Sequence, residues 1–264
     1  MEGVADISWP VLGLFFSLLV IPLWINHYYQ LNLAKEALVS VVRMAIQLLL
    51  VGVYLEYLFQ LNSLFFNLLW LALMTVIGAS AIINKTQLPK KVLLLPVSIA
   101  LAATLIPMLA IISLLIIQPQ PLYSAQYLIP LAGMLLGNSM SGNIVALQSF
   151  FTALDERKSE YEAAISLGAS PRYATLPFVQ DAIRRSLAPT LATMTTSGLV
   201  TLPGMMTGQI LAGASPIVAI KYQIMIMVAI FIMLTLSVTL ALHLTLSKCI
   251  NSEGKILVRI NPSH

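Results

Sequence analysis

The chain has 264 residues, 59% of them apolar, with 14 Lys and Arg against 10 Asp and Glu. A mean hydropathy of +0.91 with 9% charged residues is far from a soluble globular domain, where about 25% charge is usual. The net charge of +4 is dispersed beside apolar runs, which excludes a nucleic-acid-binding surface, and the one cysteine, Cys249, excludes an internal disulfide or a thiolate metal cluster.

Apolar runs of about 20 residues recur along the chain, each long enough to cross about 30 Å of hydrocarbon as a helix. They do not alternate in polarity as barrel strands do. The fold class expected is an all-α integral membrane protein, with residues 1–264 forming a single transmembrane domain. About seven spans are expected, over roughly 8–26, 37–57, 64–83, 92–117, 127–152, 188–212 and 217–247. The N-terminal "MEGVADISWPVLGLFF" lacks the basic region and small-residue cleavage site of a signal peptide, so it reads as a retained first span.

The loops set the orientation. Loops 27–36, 84–91, 153–187 and 248–264, with Arg43 just inside the second span, hold 13 of the 14 basic residues; only Lys221 lies near the other face. Basic loops stay cytoplasmic, so the N-terminus is expected outside and the C-terminus inside. The expected location is the inner (plasma) membrane, multi-pass. External loops such as "QPQPLYSAQ" are short, and none could fold into an ectodomain.

Charge inside the spans is sparse. Glu56 and Arg43 lie near span ends and snorkel. Lys221 either lines a mouth or anchors at the interface, and His243 suits an interhelical hydrogen bond better than a ligand role. No Asp or Glu occupies a span centre, which speaks against an ion-driven carrier. No G-x-x-x-x-G-K-[ST] loop occurs, so the chain carries no nucleotide engine and is not expected to be an enzyme.

The fifth span, "PLAGMLLGNSMSGNIV", places Gly133, Gly137 and Ser141 at four-residue spacing, which lets another helix approach. It also brings the amides Asn138 and Asn143, and Met140, to membrane depth. The sixth, "TLATMTTSGLVTLPGMMTGQILAG", is rich in hydroxyls and interrupted at Pro203-Gly204. Broken helices often line transporter sites. A substrate pathway past Asn138, Met140, Asn143, Thr201, Pro203, Met205, Met206, Gln209 and Tyr222 is one reading. The other makes Gly204-x-x-x-Gly208 a packing seam, with hydroxyls bonded back to their own helix. Eight of the 12 methionines fall from Met134 onward. Methionine in a span is normally filler, and its thioether suits soft Cu(I) better than iron. The residues alone establish no metal site.

Between these spans lies "DERKSEYEAAISLGASPRYATLPFVQDAIRR", residues 155 to 185, which gathers ten of the charges. "DERKSEYEAAISL" predicts a helix with Lys158 and Glu162 at i,i+4. Gly168 ends it, and Ser170 caps a second helix with Pro171 at its first position. A solvated linker is one reading. The apolar or small Tyr161, Ala163, Ala164, Ile165 and Leu167 favour the other, a docking knob on the cytoplasmic side.

"EAAISLG" resembles the EAA loop of ABC-transporter permeases, the helix that plugs into a groove of the cytoplasmic ATPase. Glu162, Ala163, Ala164 and Gly168 match it, whereas the importer continuation Ile-x-Leu-Pro is replaced at Phe178, Gln180 and Asp181. "IPLAGMLLGNSMS", "SLGASPRYATLPFVQDAIRRSLAPT" and "GLVTLPGMMTGQILAGASPIVAIKYQIM" together resemble the FetB family, permeases of an iron exporter paired with the ATPase FetA; plant members are linked to aluminium tolerance.

The resemblance covers about residues 30 to 250. It implies the membrane subunit of an ATP-driven exporter of a metal ion such as iron, working as a homodimer in the lipid bilayer. ATP and Mg would bind the separate ABC ATPase, and this chain would bind no cofactor. The ATPase-coupling residues implied are Glu160, Tyr161, Glu162, Ala163, Ala164, Leu167, Gly168, Ser170 and Pro171, with Arg184 and Arg185 at the membrane boundary. The alternative is a partner-independent secondary carrier or channel for a small solute.

Overall fold

A computed structural model describes residues 7–251 and 254–255. The chain enters through α1 (Trp9–Phe16), a 3-10 turn and α2 (Val20–Tyr28), which together make one span. Then come α3 (Ala34–Leu61), α4 (Leu64–Thr86), α5 (Lys90–Ile111) and α6 (Ala125–Glu156). The remaining helices are the short α7 (Lys158–Ser166), α8 (Pro171–Thr196), the short α9 (Gly204–Leu211) and α10 (Pro216–Cys249). The described residues hold no strand, and one isolated bridge joins Ser197 to Thr201. This is the expected all-α membrane architecture.

Among the described residues six helices are long and apolar enough to cross a membrane: Trp9–Tyr28, Ala34–Leu61, Leu64–Thr86, Lys90–Ile117, Ala125–Glu156 and Pro216–Cys249. The span expected at 188–212 is not one helix. α8 begins far earlier, at Pro171, and stops at Thr196; the backbone then turns through Ser197–Pro203 before α9. The turn starts where Gly198 takes φ +89 and donates its N–H to the Thr201 carbonyl (2.9 Å). Pro203, placed from sequence at the break itself, instead precedes the first residue of α9, where its missing N–H costs nothing.

α4, α5, α6 and α10 form the packed centre, and α8 lies against α6 and α10. Their contact faces carry Ala79, Ala100, Ala132, Ala146 and Ala229, all buried. Small side chains let helices close without a hydrophobic drive in lipid. The tightest approach is at Gly142, where a Cβ would run into Cδ1 of the buried Leu234 on α10. The stripe expected to be the seam behaves differently. Gly133 would meet only the Met74 methyl at 3.6 Å, and Gly137, Gly204 and Gly208 have open space beside them. α1–α3 stay peripheral: the most apolar windows of the first two spans contain no buried residue.

Tertiary hydrogen bonds sort the loops into two ends. Lys85 pairs with Glu36 (2.7 Å), Gln148 Nε2 donates to the Lys85 carbonyl (2.9 Å), and the Tyr161 hydroxyl donates to the Gly254 carbonyl (2.8 Å). The loops that hold the basic excess therefore share one end of the bundle. At the other end Asn67 Nδ2 donates to the Tyr123 carbonyl (2.7 Å), and Asn62 Oδ1 accepts from the Ala125 N–H (3.0 Å).

Candidate functional sites at the hairpin and the membrane centre

The charged end carries a hairpin of α7 and α8. α6 runs on to Glu156, so α7 starts at Lys158, three residues later than the sequence suggested; Arg157, with φ −108 and ψ 31, makes the joint. Lys158 and Glu162 pair at 3.1 Å, one turn apart. Gly168 follows α7 with φ +90, a conformation that disfavours any side chain. Ser170 Oγ then accepts the Tyr173 N–H (3.3 Å), and Pro171 opens α8.

Arg157 fastens the joint. Its guanidinium donates to both Glu160 carboxylate oxygens, lies 3.9 Å from Asp181 on α8, and stacks 5.0 Å above the Phe178 ring. That pairing holds the Glu160 carboxyl below its ordinary range.

α7 is two-sided. Tyr161 is only 2% exposed, and Ala164 and Ile165 pack against the core. Burial raises the Tyr161 phenol above its usual value. The tail after α10 returns beneath this side. Gly254 takes φ +82, and a Cβ there would meet three Ile165 atoms at 3.0 to 3.2 Å. The outer side presents Glu160, Glu162, Ala163, Ser166, Gly168 and Leu167, the last 88% exposed. Tyr161, grouped from sequence with these, sits on the inner side and anchors the hairpin. Arg184 and Arg185 are exposed on α8, about 20 Å along the helix from Pro171 at 1.5 Å per residue.

At the membrane centre the amides separate. Asn143 is fully buried, and its Nδ2 donates to the Ser139 carbonyl (2.8 Å) and to Ser237 Oγ on α10 (3.0 Å). It ties two helices together. Asn138 is exposed, and its Nδ2 donates to the Met134 carbonyl (2.8 Å). Asn138 opens on a cleft of roughly 180 Å³ between α6, α8 and α10, lined also by Ser141, Ser186, Thr190, Thr193 and Met227.

The other pathway residues do not line that cleft. Met140 is half-buried on α6, and Thr201 is exposed in the turn. Pro203, Met205, Met206 and Gln209 are half-buried at α9, as is Tyr222 at the start of α10. Gln209 and Gln223 each leave a buried amide oxygen without a hydrogen bond.

Sequence reasoning passed over Gln223, Ser186, Thr190 and Thr193. The signal for the last three was their spacing, since Ser186, Pro189, Thr190 and Thr193 fall on one helix face. The larger groove of about 610 Å³ beside α4 and α5 is lined by residues such as Leu68, Val76, Ile99 and Ile106. Its walls suit an acyl chain, not an ion. Among the described residues no three His, Cys, Asp or Glu come together to hold a metal.

Residues 9–250 match the family described as "Uncharacterised protein family (UPF0014)". A UPF0014 membrane protein of Synechocystis is 37% identical over 226 residues, covering 86% of this chain and 87% of that protein. The "Probable iron export permease protein FetB" of Escherichia coli is 33% identical over 247 residues, covering 94% of each. The "Protein ALUMINUM SENSITIVE 3" of Arabidopsis thaliana is 37% identical over 204 residues, covering 77% of this chain and 73% of that protein. No solved structure matches the chain.

Proposed function

The chain belongs to the UPF0014 family of multi-pass membrane proteins, and on that premise we propose that it is the membrane subunit of an ATP-driven metal-ion exporter in the plasma membrane. The observation that carries the reading is the two-sided hairpin. Arg157 and Tyr161 pin α7 to the bundle, while Leu167, 88% exposed, and Glu162, Ala163 and Gly168 face outward. A solvated linker needs no such anchoring, and an exposed Leu beside small residues suits a groove on a partner surface.

The partner in this reading is a cytoplasmic ABC ATPase that binds ATP and Mg. Its closure pushes α7. The force passes through the Arg157 joint into α6 and directly into α8, the two helices that flank the central cleft. A second copy of the chain faces the open side of α6 and α8, because the exposed Asn138 amide is costly against lipid. The printed name of the E. coli relative supports iron as cargo.

The test is reconstitution in vesicles. The chain alone is expected to be silent, and the chain with its ATPase and ATP to move Fe(II). Transport by the chain without ATPase would replace this reading with a secondary carrier or channel.

A further inference from the structure

We infer that the cleft between α6, α8 and α10 is a passage for a hard, partly hydrated cation, walled on α6 and α8 by side-chain oxygens with lone pairs to offer. The inference rests on the transport reading above and specifies its route and ligand chemistry.

Three hydroxyls of the cleft spend their hydrogens on their own helices. Ser141 Oγ donates to the Gly137 carbonyl (3.3 Å), Thr193 Oγ1 to the Pro189 carbonyl (3.0 Å) and Ser186 Oγ to the Ile183 carbonyl (2.8 Å). Asn138 Nδ2 is likewise held by the Met134 carbonyl, which turns Oδ1 into its free end. A hydroxyl keeps its lone pairs after donating, and an amide oxygen is an acceptor only. Three hydroxyls on two helices thus present lone pairs and no spare O–H, and Asn138 adds its Oδ1 while keeping one amide N–H.

The register is regular. Asn138, Ser141, Gly142 and Val145 on α6 have the same i, i+3, i+4, i+7 spacing as Ser186, Pro189, Thr190 and Thr193 on α8. Pro189 adds to the effect, because it has no N–H for the carbonyl one turn earlier. Arg184 lies about 170° and Arg185 about 90° around α8 from the middle of this face, so their charges flank it and do not close it.

Such a wall selects by chemistry. An anion finds only the Thr190 hydroxyl and one Asn138 N–H as donors, whereas a hard cation finds several neutral oxygens of the kind it prefers. The volume, roughly 180 Å³, far exceeds the ~10–15 Å³ that admits one water, so the ion can keep part of its shell. With no carboxylate on the wall, binding stays weak enough for release, as conduction requires. Met227 contributes the cleft's one thioether, too few to strip and hold a soft ion.

Two measurements test this in the full-length chain. The first uses Ser141→Cys and Thr193→Cys in native membranes. The one native cysteine, Cys249, is buried and gives low background. Both new thiols are expected to react with a charged methanethiosulfonate and to be protected at least threefold by millimolar Mn(II). Ile106→Cys, on the apolar outer surface, is expected to stay inert. The second is ATP-driven Fe(II) flux in phosphatidylethanolamine–phosphatidylglycerol vesicles holding both subunits. Ser141→Ala/Thr193→Val is expected to lower flux at least tenfold with ATPase association intact.

Unreactive thiols together with wild-type flux in the double variant overturn the passage. So does Met227→Leu abolishing flux that the double variant retains. Reactive, Mn(II)-protected thiols without ATP-driven flux uphold the cation passage and overturn the exporter reading instead.

Discussion

Tyr161→Phe isolates one bond in the hairpin anchor. The ring stays, so the packing of a side chain only 2% exposed is kept. The hydroxyl that donates to the Gly254 carbonyl at 2.8 Å is lost, and that carbonyl belongs to a buried residue. Leaving one buried acceptor unpaired costs about 1–2 kcal/mol, a roughly 5- to 30-fold rise in the undocked fraction. Gly254→Ala attacks the same contact from the other side and has two separable costs. The φ of +82 costs a side chain about 1–2 kcal/mol, and the Cβ crowds Ile165 at 3.0 to 3.2 Å. In an Ile165→Ala background the crowding disappears and the φ cost remains, so the penalty should shrink without vanishing.

Hydrogen exchange on the purified chain reads both effects. Peptides covering α7 and the tail around Gly254 should exchange about 5- to 30-fold faster in Tyr161→Phe, while those from the centre of α10 are unchanged. Exchange identical to wild type in both regions would show that the tail does not hold α7, and the anchoring argument would fall.

Leu167→Asp changes a side chain that is 88% exposed, so stability should move by no more than about 0.5 kcal/mol. ATPase recovered on affinity purification should nevertheless drop at least tenfold; undiminished recovery would remove Leu167 from the docking face. Gly142→Ala drives a methyl into the buried Leu234, an overpacking cost of about 1–3 kcal/mol. Leu234→Ala should relieve it, so thermal unfolding of the double variant must be less destabilised than the sum, and strict additivity refutes the contact.

The raised Tyr161 phenol gives a signed pH effect. A group whose folded value is raised stabilises fully below its unfolded value, about 10, and loses that contribution as pH climbs through the folded one. Tail exchange should therefore be flat from pH 7 to about 10 after intrinsic-rate correction and accelerate only above it. Acceleration near neutrality contradicts the buried donor.

The hairpin was readable before folding because its signals are local. A glycine that must take φ +90, a Ser-Pro start and an i,i+4 ion pair each act within a few residues. The side of α7 that faces inward was not readable. Tyr161 and Leu167 look alike on a helical wheel of mixed small and apolar residues, and only tertiary packing, including the tail arriving from 93 positions away, buries one of them.

The membrane centre divides in the same way. The apolar lengths, the absence of carboxylates and the thirteen-to-one placement of basic residues are one-dimensional properties, and from them follow the helical class, the positions of six spans within a few residues, the one expected at 188–212 excepted, and the shared end of the basic loops. Which polar residue faces which neighbour is not one-dimensional. Asn138 and Asn143 are five residues apart on one helix and had the same standing as pathway candidates. Five residues turn a helix by about 140°, enough to send Asn143 into the α10 interface against Ser237 and leave Asn138 on the open cleft. Hydroxyls that bond back to their own helix look inert in a sequence. Tertiary packing, by bringing α6 and α8 side by side, turned their remaining lone pairs into a common wall.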